Sequence, residues 1–361
     1  MIAPGAEWKP KITVNQPASF NWFHPHLHGN TARQAHLGIA GLMVVTDGKD
    51  AARGLPEDYG IDDIPLVLQD RRVIEGGDRI YQPDIMDLMH GFRGDKLIVN
   101  GIVSPEARVP QSIVRLRILN GANARNFHVR LGDNRPPLFV IASDGGFIGK
   151  PEPVKRLSIS PGERYEVLVD FSQGRAVDLL TYENDSGGDD LHLMRFEVDS
   201  ALQAKIKSFP DRLDGPGVPD ENLSVKRRSF FFDERMTENM RLMMAKPSTD
   251  PHAGHNMGSM DMSSMQSGAM DHEMHGGARS SADAGPALDA LSSGVTMAIA
   301  GKPFDMGRID VEAKLGSWEI WELTTKEMPH PFHIHGASFR ILSQNGKAPP
   351  PHIKRAGRIR L

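Results

Sequence analysis

Residues 328–336 read Met-Pro-His-Pro-Phe-His-Ile-His-Gly and place three histidines within six positions. In an extended strand, side chains two positions apart share a face, whereas side chains three positions apart point to opposite faces. We therefore expect His333 and His335 to point the same way, roughly 6–7 Å apart at the backbone, and His330 to point the other way. Pro331 favours an extended His330, because the residue before a proline avoids the helical region. The spacing predicts that one short strand supplies two imidazoles to one metal site and one imidazole to a second site behind it.

A second histidine-rich stretch lies near the start of the sequence, where residues 21–29 read Asn-Trp-Phe-His-Pro-His-Leu-His-Gly. Its histidines, His24, His26 and His28, alternate, so they share one face if the segment is extended. Closely spaced histidines near the start and near the end of the sequence predict that the two stretches meet around shared metal. Imidazole binds zinc, copper, iron and nickel, so ligand type leaves the metal open. Spacing also leaves open which two of the three histidines bind.

The composition narrows the class of protein. A chain of 361 residues suggests two or three domains, and 39% hydrophobic with 24% charged residues is ordinary for a globular protein. The formal net charge is −4 and no long basic run occurs, so nucleic acid is not expected as a main partner. No window reaches the roughly 18 apolar residues of a transmembrane helix. The first residues also lack the basic and apolar regions of a signal peptide.

The chain contains no cysteine and 18 methionines. Disulfides, cysteine zinc sites and thiolate ligands therefore cannot be built from these residues alone. Many of the methionines fall in residues 247–294, a segment rich in Pro, Gly, Ser and Ala that buries too little apolar area to order itself. Thioether sulfur selects Cu(I) and imidazole adds capacity for Cu(II), so we expect this segment to bind copper. The alternative is a methionine-rich linker. The donors are Met257, Met260, Met262, Met265, Met270 and Met274, with His252, His255, His272 and His275.

Short stretches rich in β-branched residues and bounded by turn residues recur along the chain. In Val114-Arg-Leu-Arg-Ile118 the apolar and basic residues alternate, which predicts a strand with one buried face. A short helix is expected at 233–246. Many short strands with few helical windows predict a β-sandwich or barrel. The expected strands are 11–14, 38–46, 64–69, 96–99, 112–119, 137–142, 164–170, 228–232, 316–324 and 338–342.

Taken together, these residues resemble the multicopper oxidases, and within them the laccase-like bacterial cuprous oxidases of the CueO type. Residues 22–29 resemble the second of the family's four copper motifs and residues 328–341 the third; residues 60–65, 117–125 and 141–146 and the Met/His-rich segment also match. The resemblance implies an all-β fold of cupredoxin-like Greek-key β-sandwich domains. These would be the C-terminal part of a first domain at 1–50, a complete second domain at 51–222, and an incomplete third domain at 223–361 that contains the insert at about 247–294.

The resemblance also implies copper of types 1, 2 and 3 as cofactor. By position, His330 would be a type 1 ligand, His333 the type 2 ligand, and His24, His26 and His335 type 3 ligands. The alternation of the strand agrees, because it points His330 towards one site and the other two histidines of that stretch towards a second. No catalytic residue beyond these ligands is expected. Candidate ligands for a Cu(I) substrate are Met243, Met244, Met328 and the six methionines from Met257 to Met274.

Two family motifs, His-Trp-His-Gly and His-Cys-His, do not occur in these residues, so we expect a form truncated at both ends. Two functions from different classes follow. The first is a periplasmic oxidase for copper tolerance, which couples one-electron oxidation of Cu(I) or phenolic substrates to the four-electron reduction of O₂ to water. The second is a non-catalytic protein that binds or sequesters Cu(I) and Cu(II). The lack of a thiolate favours the second for this chain alone, because a blue copper site needs one.

Overall fold

The computed structural model describes residues 5–73, 81–132, 137–184, 187–203, 205–215, 224–236, 295–325, 330–353, 355–356 and 358–360. The chain divides into two compact units. The first comprises Met1–Phe230 and Val311–Leu361, and the second comprises Phe231–Asp310. Strands greatly outnumber helices among the described residues, which confirms the predicted all-β fold class. No helix among them is long and apolar enough to cross a membrane.

The regular elements follow one another as short segments. Up to residue 143 they are β1 (Ser19–Phe23), α1 (Thr31–His36), β2 (Gly41–Val45), a 3₁₀ turn (Ala51–Arg53), β3 (Asp63–Arg71), α2 (Ile85–His90), β4 (Lys96–Val99), β5 (Glu106–Pro110), β6 (Ile113–Asn120), β7 (Phe127–Leu131) and β8 (Leu138–Ser143). Then come β9 (Gly146–Val154), β10 (Leu157–Ile159), β11 (Arg164–Asp170), β12 (Val177–Asn184), β13 (Gly187–Asp199), β14 (Ser224–Met236), β15 (Val295–Ile299), β16 (Lys302–Pro303), β17 (Trp318–Thr325), β18 (Pro331–His333), β19 (Phe339–Arg340), a 3₁₀ turn (Pro351–Ile353), β20 (Arg355–Ala356) and β21 (Arg358–Arg360).

Two sheets form a sandwich in the first unit. One has six strands in the order β4-β3-β6-β11-β8-β9, and the other has five in the order β10-β7-β12-β13-β5. Most neighbouring strands are antiparallel, whereas β3 pairs with β6 and β13 pairs with β5 in parallel. Apolar side chains from both sheets join in one buried cluster, which includes Leu68, Leu116 and Val167 from the first sheet and Phe127, Leu179 and Phe196 from the second. This shared core is what makes the two sheets one sandwich.

Most of the predicted strands are present. The predictions at 64–69, 96–99, 112–119, 137–142 and 164–170 are confirmed by β3, β4, β6, β8 and β11. The prediction at 11–14 is wrong, because these residues are exposed and belong to no strand. The helix predicted at 233–246 is wrong in its first turn, since residues up to Met236 belong to β14; its remainder lies outside the described residues. The division into domains at 1–50, 51–222 and 223–361 stays a prediction.

Strand β6 is buried on both faces, not on one as its alternation predicted. Arg115 and Arg117 are only 1% and 4% exposed. Arg115 donates to Glu166 on the neighbouring strand β11, with 2.7 Å between its Nε and Oε2. Arg117 makes two hydrogen bonds of 2.7 Å to the carboxylate of Asp63 on β3. The basic residues of β6 are therefore inside the protein because carboxylates on both neighbouring strands neutralise them.

The second unit contains a small sheet. The last five residues of β14, Phe232 to Met236, pair antiparallel with β15, and β15 pairs antiparallel with β16. The amide of Ala300 donates to the carbonyl of Phe231 at the end of the β15 pairing. This pairing explains why Asp233–Met236 is a strand: a partner far away in the sequence supplies backbone hydrogen bonds that a short helix would have to make locally.

Candidate metal centre

The first histidine-rich stretch begins where β1 ends. Strand β1 pairs antiparallel with β2 and buries Phe20 at 1% exposure. The guanidinium of Arg164, at the start of β11, donates to the carbonyl of Phe20 at 3.1 Å and to Oδ1 of Asn21 at 3.3 Å. The same guanidinium lies 3.0 Å from the carboxylate of Asp144. The six-stranded sheet thus holds the strand that leads directly into His24.

The second stretch is held by other contacts. Strand β18 pairs antiparallel with β21, so that His333 lies opposite Arg358. Between its histidines, the ring of Phe332 packs on Phe339 with the ring centroids 5.6 Å apart, and on Trp321 with the centroids 6.4 Å apart. Exposure alternates from Pro331 to His335, so His333 and His335 are exposed while Phe332 and Ile334 are half-buried. Apolar packing on one side therefore presents the imidazoles on the other side.

An ionic contact fixes the aromatic support beneath β18. The indole Nε1 of Trp321 donates to Glu319 at 2.9 Å, and the Nε of Arg228 donates to the same carboxylate oxygen at 2.6 Å. Hydrogen bonds from Arg228 and Trp321 lower the pKa of Glu319 from 4.5 to about 2, and the bond from Arg228 has the larger effect. The carboxylate thus stays ionised and holds the tryptophan that packs on Phe332.

The two stretches meet in the first unit through a series of imidazole rings. The ring centroids of His24 and His26 are 5.3 Å apart, those of His26 and His335 are 4.9 Å apart, and those of His335 and His333 are 4.7 Å apart. The contact between His26 and His335 is edge to face, at 89°. The fold thus brings together four of the five histidines that the sequence nominated as ligands.

One of these rings has an assigned tautomer. Nδ1 of His24 lies 2.9 Å from the carbonyl oxygen of Pro25. Because a carbonyl oxygen only accepts hydrogen bonds, Nδ1 carries the proton in this contact, and Nε2 of the neutral ring keeps the lone pair. A hydrogen bond at one ring nitrogen commonly orients the other nitrogen of a metal-binding histidine. In this tautomer, Nε2 is the nitrogen of His24 that can bind a metal.

Imidazole is a suitable type of ligand for copper, but the described residues supply an incomplete set of ligands. Neutral imidazole suits copper, and all four rings are drawn from two short segments. Among the residues that the structure describes, however, no three His, Asp or Glu side chains converge as a set for one metal ion. Each ion at this centre would therefore take at most two ligands from the described residues and the remainder from elsewhere.

The other predicted site residues lie apart from this series or outside the description. His330 is half-buried and directly precedes β18. His28 is exposed in a turn after His26. The methionines predicted to bind Cu(I) lie outside the described residues: Met243, Met244, Met257, Met260, Met262, Met265, Met270, Met274 and Met328.

The sequence pattern did not predict that Trp22 packs against His24. Its ring packs on the imidazole of His24, with the centroids 4.5 Å apart and the planes at 33°. Trp22 lies on β1 opposite Leu42 of β2, so the sheet fixes its position. An aromatic residue two positions before a histidine shares its strand face, and that spacing was the available signal.

Comparison with known proteins identifies the family. Three family models described as multicopper oxidase match residues 1–50, 98–180 and 279–357. A solved laccase-like multi-copper oxidase, CueO from Ochrobactrum sp., is 72% identical, with a TM-score of 0.84 over 100% of this chain and 71% of that chain. The chain belongs to the multicopper oxidase family. Its sandwich is accordingly cupredoxin-like, as the resemblance predicted, and membership of the family implies copper cofactors.

Two other relatives are less similar in sequence than CueO, and both are longer than this chain. A laccase from Pediococcus acidilactici is 27% identical, with a TM-score of 0.69 over 99% of this chain and 65% of that chain. Among curated proteins, the cell division protein FtsP of Yersinia pestis is 33% identical over 350 residues, which are 96% of this chain. The chain spans 62% of the length of that relative.

Proposed function

We propose that the protein is a copper-dependent oxidase and that His24, His26, His333 and His335 supply imidazole ligands to its copper centre. The observation that carries this proposal is the unbroken series of ring contacts through which the two histidine-rich stretches meet. Each stretch is held separately, one by Arg164 on the six-stranded sheet and the other by β21, so the imidazoles are arranged by the fold. Membership of the multicopper oxidase family supports copper as the metal.

The proposed reaction oxidises Cu(I) or a phenolic substrate in one-electron steps and reduces O₂ to water. Bound copper would supply the one-electron redox chemistry. The residues of this chain would hold and orient the ligands: His24 through Nε2, with its Nδ1 engaged by Pro25, and His333 and His335 from a strand packed through Phe332. His330 would serve a separate type 1 site. The periplasm is the proposed location.

A second candidate is a copper-binding protein without oxidase turnover. Two observations favour it for this chain alone. The 361 residues contain no cysteine, so they supply no thiolate for a blue copper site. In addition, curated relatives at 33% and 32% identity are named cell division proteins, not oxidases. In this function the histidines and the Met/His-rich segment would hold copper without passing electrons to O₂.

The ligand assignment is tested by copper titration. We expect the variant His26→Ala/His335→Ala to lose most of the Cu(II) that the parent binds at the histidine centre, since it removes both rings at the junction. The matched control is His192→Ala, which removes an exposed imidazole on β13 of the five-stranded sheet, 3.6 Å from Asp178 on the paired strand β12. Cu(II) stoichiometry and the hyperfine pattern of nitrogen ligands in electron paramagnetic resonance would be measured. Equal binding by the double variant and the control would refute the assignment.

Oxygen consumption separates the two candidate functions. The parent, loaded with copper, is given Cu(I) or a phenol, and O₂ uptake is compared with that of free copper at the same concentration. Uptake above the free-copper rate that disappears in His26→Ala/His335→Ala supports the oxidase. Copper binding with no such uptake supports the non-catalytic function.

A further inference from the structure

An open cleft of about 460 Å³ lies in the first unit, beside the end of β3, and no residue of the histidine-rich stretches is among its described lining residues. It is lined by Arg72, Val73, Arg93, Gly94 and Asp95. A volume of this order is typical of sites for small molecules. Two arginines, Arg72 and Arg93, belong to this lining, and the predicted copper chemistry uses neither of them.

Hydrogen bonds fix the backbone of Arg93 and Gly94 in the lining of the cleft. The Nε of Arg72 donates to the carbonyl of Arg93 at 3.0 Å, and a guanidinium nitrogen of Arg125 donates to the carbonyl of Gly94 at 2.8 Å. The amide of Gly94 donates to Asp70 at 2.7 Å. These hydrogen bonds fix the backbone on both sides of the peptide after Arg93, so the cleft is preformed.

Gly94 explains how this wall reaches β3. A Cβ at this position would lie 2.3 Å from backbone atoms of Arg71, which is too close for any side chain. The glycine therefore allows the backbone to pass directly over the strand. Arg72 follows Arg71 directly in the chain. The close approach of Gly94 to Arg71 therefore places Arg93 next to Arg72 in the lining of the cleft.

Most charges around the cleft are paired. Arg72 holds Asp87 with two hydrogen bonds, of 2.7 Å and 2.5 Å, and its guanidinium lies 4.2 Å above the ring of Phe92. The carboxylate of Asp87 raises the pKa of Arg72, so this residue stays charged and is already satisfied. Arg125 lies 3.0 Å from the carboxylate of Asp70. These two arginines shape the cleft without offering it a free charge.

Arg93 differs from its neighbours. Its Nε is buried and has no hydrogen-bond partner, and its guanidinium forms no ion pair with any residue of the described part of the chain. The one carboxylate in the lining, Asp95, is exposed and lies 3.7 Å from the ammonium of Lys96. A buried donor without a partner costs free energy, and a guanidinium presents its donors in a planar fork that matches an oxyanion.

We propose that this cleft binds a small oxyanion, a carboxylate or a phosphate group, through the guanidinium of Arg93. The anion contacts the guanidinium of the half-buried Arg93 and balances a charge that no described side chain balances. Val73 offers an apolar contact for the body of a larger ligand. The site is independent of the histidine centre and of any oxidase activity.

Calorimetric titration of the 361-residue chain with inorganic phosphate, and separately with succinate, tests the proposal at constant ionic strength. We expect Arg93→Gln to weaken binding of the preferred anion by roughly tenfold or more, because a charged hydrogen bond is lost. Lys96→Gln is the matched control, because it removes an exposed neighbouring cation, and it should change the affinity by less than about twofold. The two anions decide between phosphate and carboxylate.

A second variant distinguishes loss of the anion site from loss of the fold. Val73→Trp fills the cleft and keeps every charge, so it should also abolish anion binding while circular dichroism shows an intact fold. Equal affinity with and without added Cu(II) would support a site separate from the histidines. The proposal is overturned if the parent binds neither anion, if Arg93→Gln and Val73→Trp both bind like the parent, or if binding requires Cu(II).

Discussion

The imidazole of His26 meets the imidazole of His335 edge to face, with 4.9 Å between the ring centroids. The two residues come from opposite ends of the sequence, and different strands support them. Arg164 anchors the strand before the first, and β21 pairs with the strand before the second. The junction is therefore a product of the tertiary fold, and it brings the two histidine-rich stretches together.

The spectrum of the copper-loaded chain follows from its lack of cysteine. We expect no intense thiolate-to-copper charge-transfer band in the visible region, because that band needs a Cys ligand and the 361 residues contain none. Visible absorption of the chain after titration with Cu(II) measures this directly. A strong blue band that survives removal of free copper would contradict the prediction.

Cu(I) binding should divide between two independent groups of donors. Changing Met257, Met260, Met262, Met265, Met270 and Met274 to serine should lower the Cu(I) stoichiometry, since thioether sulfur is a soft ligand. Changing His24, His26, His333 and His335 to alanine should leave that Cu(I) pool largely intact. Competition with a chromophoric Cu(I) chelator provides the stoichiometry. If the serine variant binds as much Cu(I) as the parent, the segment is a linker.

The buried pair of Arg115 and Glu166 should be costly to break. Their side chains are 1% and 2% exposed. Burial lowers the pKa of Arg115, but the carboxylates of Glu166, Asp50 and Asp63 outweigh that effect and raise it. Glu166→Gln should lower the free energy of unfolding by about 3–5 kcal/mol, because it leaves a buried charge with too few counter-charges.

Denaturant unfolding measures that loss, and an exposed pair provides the control. Lys150 lies 3.7 Å from Glu152 near the surface, so Glu152→Gln should cost less than about 1 kcal/mol. The double variant Arg115→Met/Glu166→Gln should lose less stability than the sum of the two single changes. Additive losses would show that the two side chains are not coupled.

Acid should weaken the support beneath β18 through Glu319. Its pKa in the folded chain is about 2, below the ordinary value of 4.5, because Arg228 and Trp321 donate to its carboxylate. A depressed pKa contributes stability that is present above pH 4.5 and is lost as the pH falls towards 2. The parent should therefore be more stable than Glu319→Gln at pH 6, and the difference should shrink as the pH falls below 4.5.

Urea unfolding of the parent and the variant between pH 6 and pH 3 checks this prediction. Glu312→Gln is a suitable control, since the described residues show no ion pair for the carboxylate of Glu312, and its difference from the parent should not follow the same titration. A stability difference for Glu319→Gln that stays constant over this range would mean that the carboxylate does not act through its charge.

Local sequence pattern was sufficient for most of the strands and for the location of the two histidine-rich stretches. Strands such as 64–69 and 164–170 are marked by β-branched residues and bounding turns, and these signals act over a few neighbouring positions. The spacing of His333 and His335 likewise predicts a shared face, and the structure places their rings in contact, 4.7 Å apart. Such features depend on the backbone geometry of one strand, which a short stretch of sequence specifies.

Pairing between segments far apart in the sequence decided the features that local pattern did not predict. Arg115 and Arg117 look like the solvated face of β6, and only Glu166 and Asp63 on the adjacent strands make their burial stable. Asp233–Met236 has a helical pattern and becomes strand because Val295–Ile299 pairs with it. The sequence by itself determined an all-β chain with two histidine-rich stretches. Tertiary structure alone decided that His26 meets His335 and that the Nε of Arg93 is buried with no hydrogen-bond partner among the described residues, because contacts between residues far apart in the chain set both.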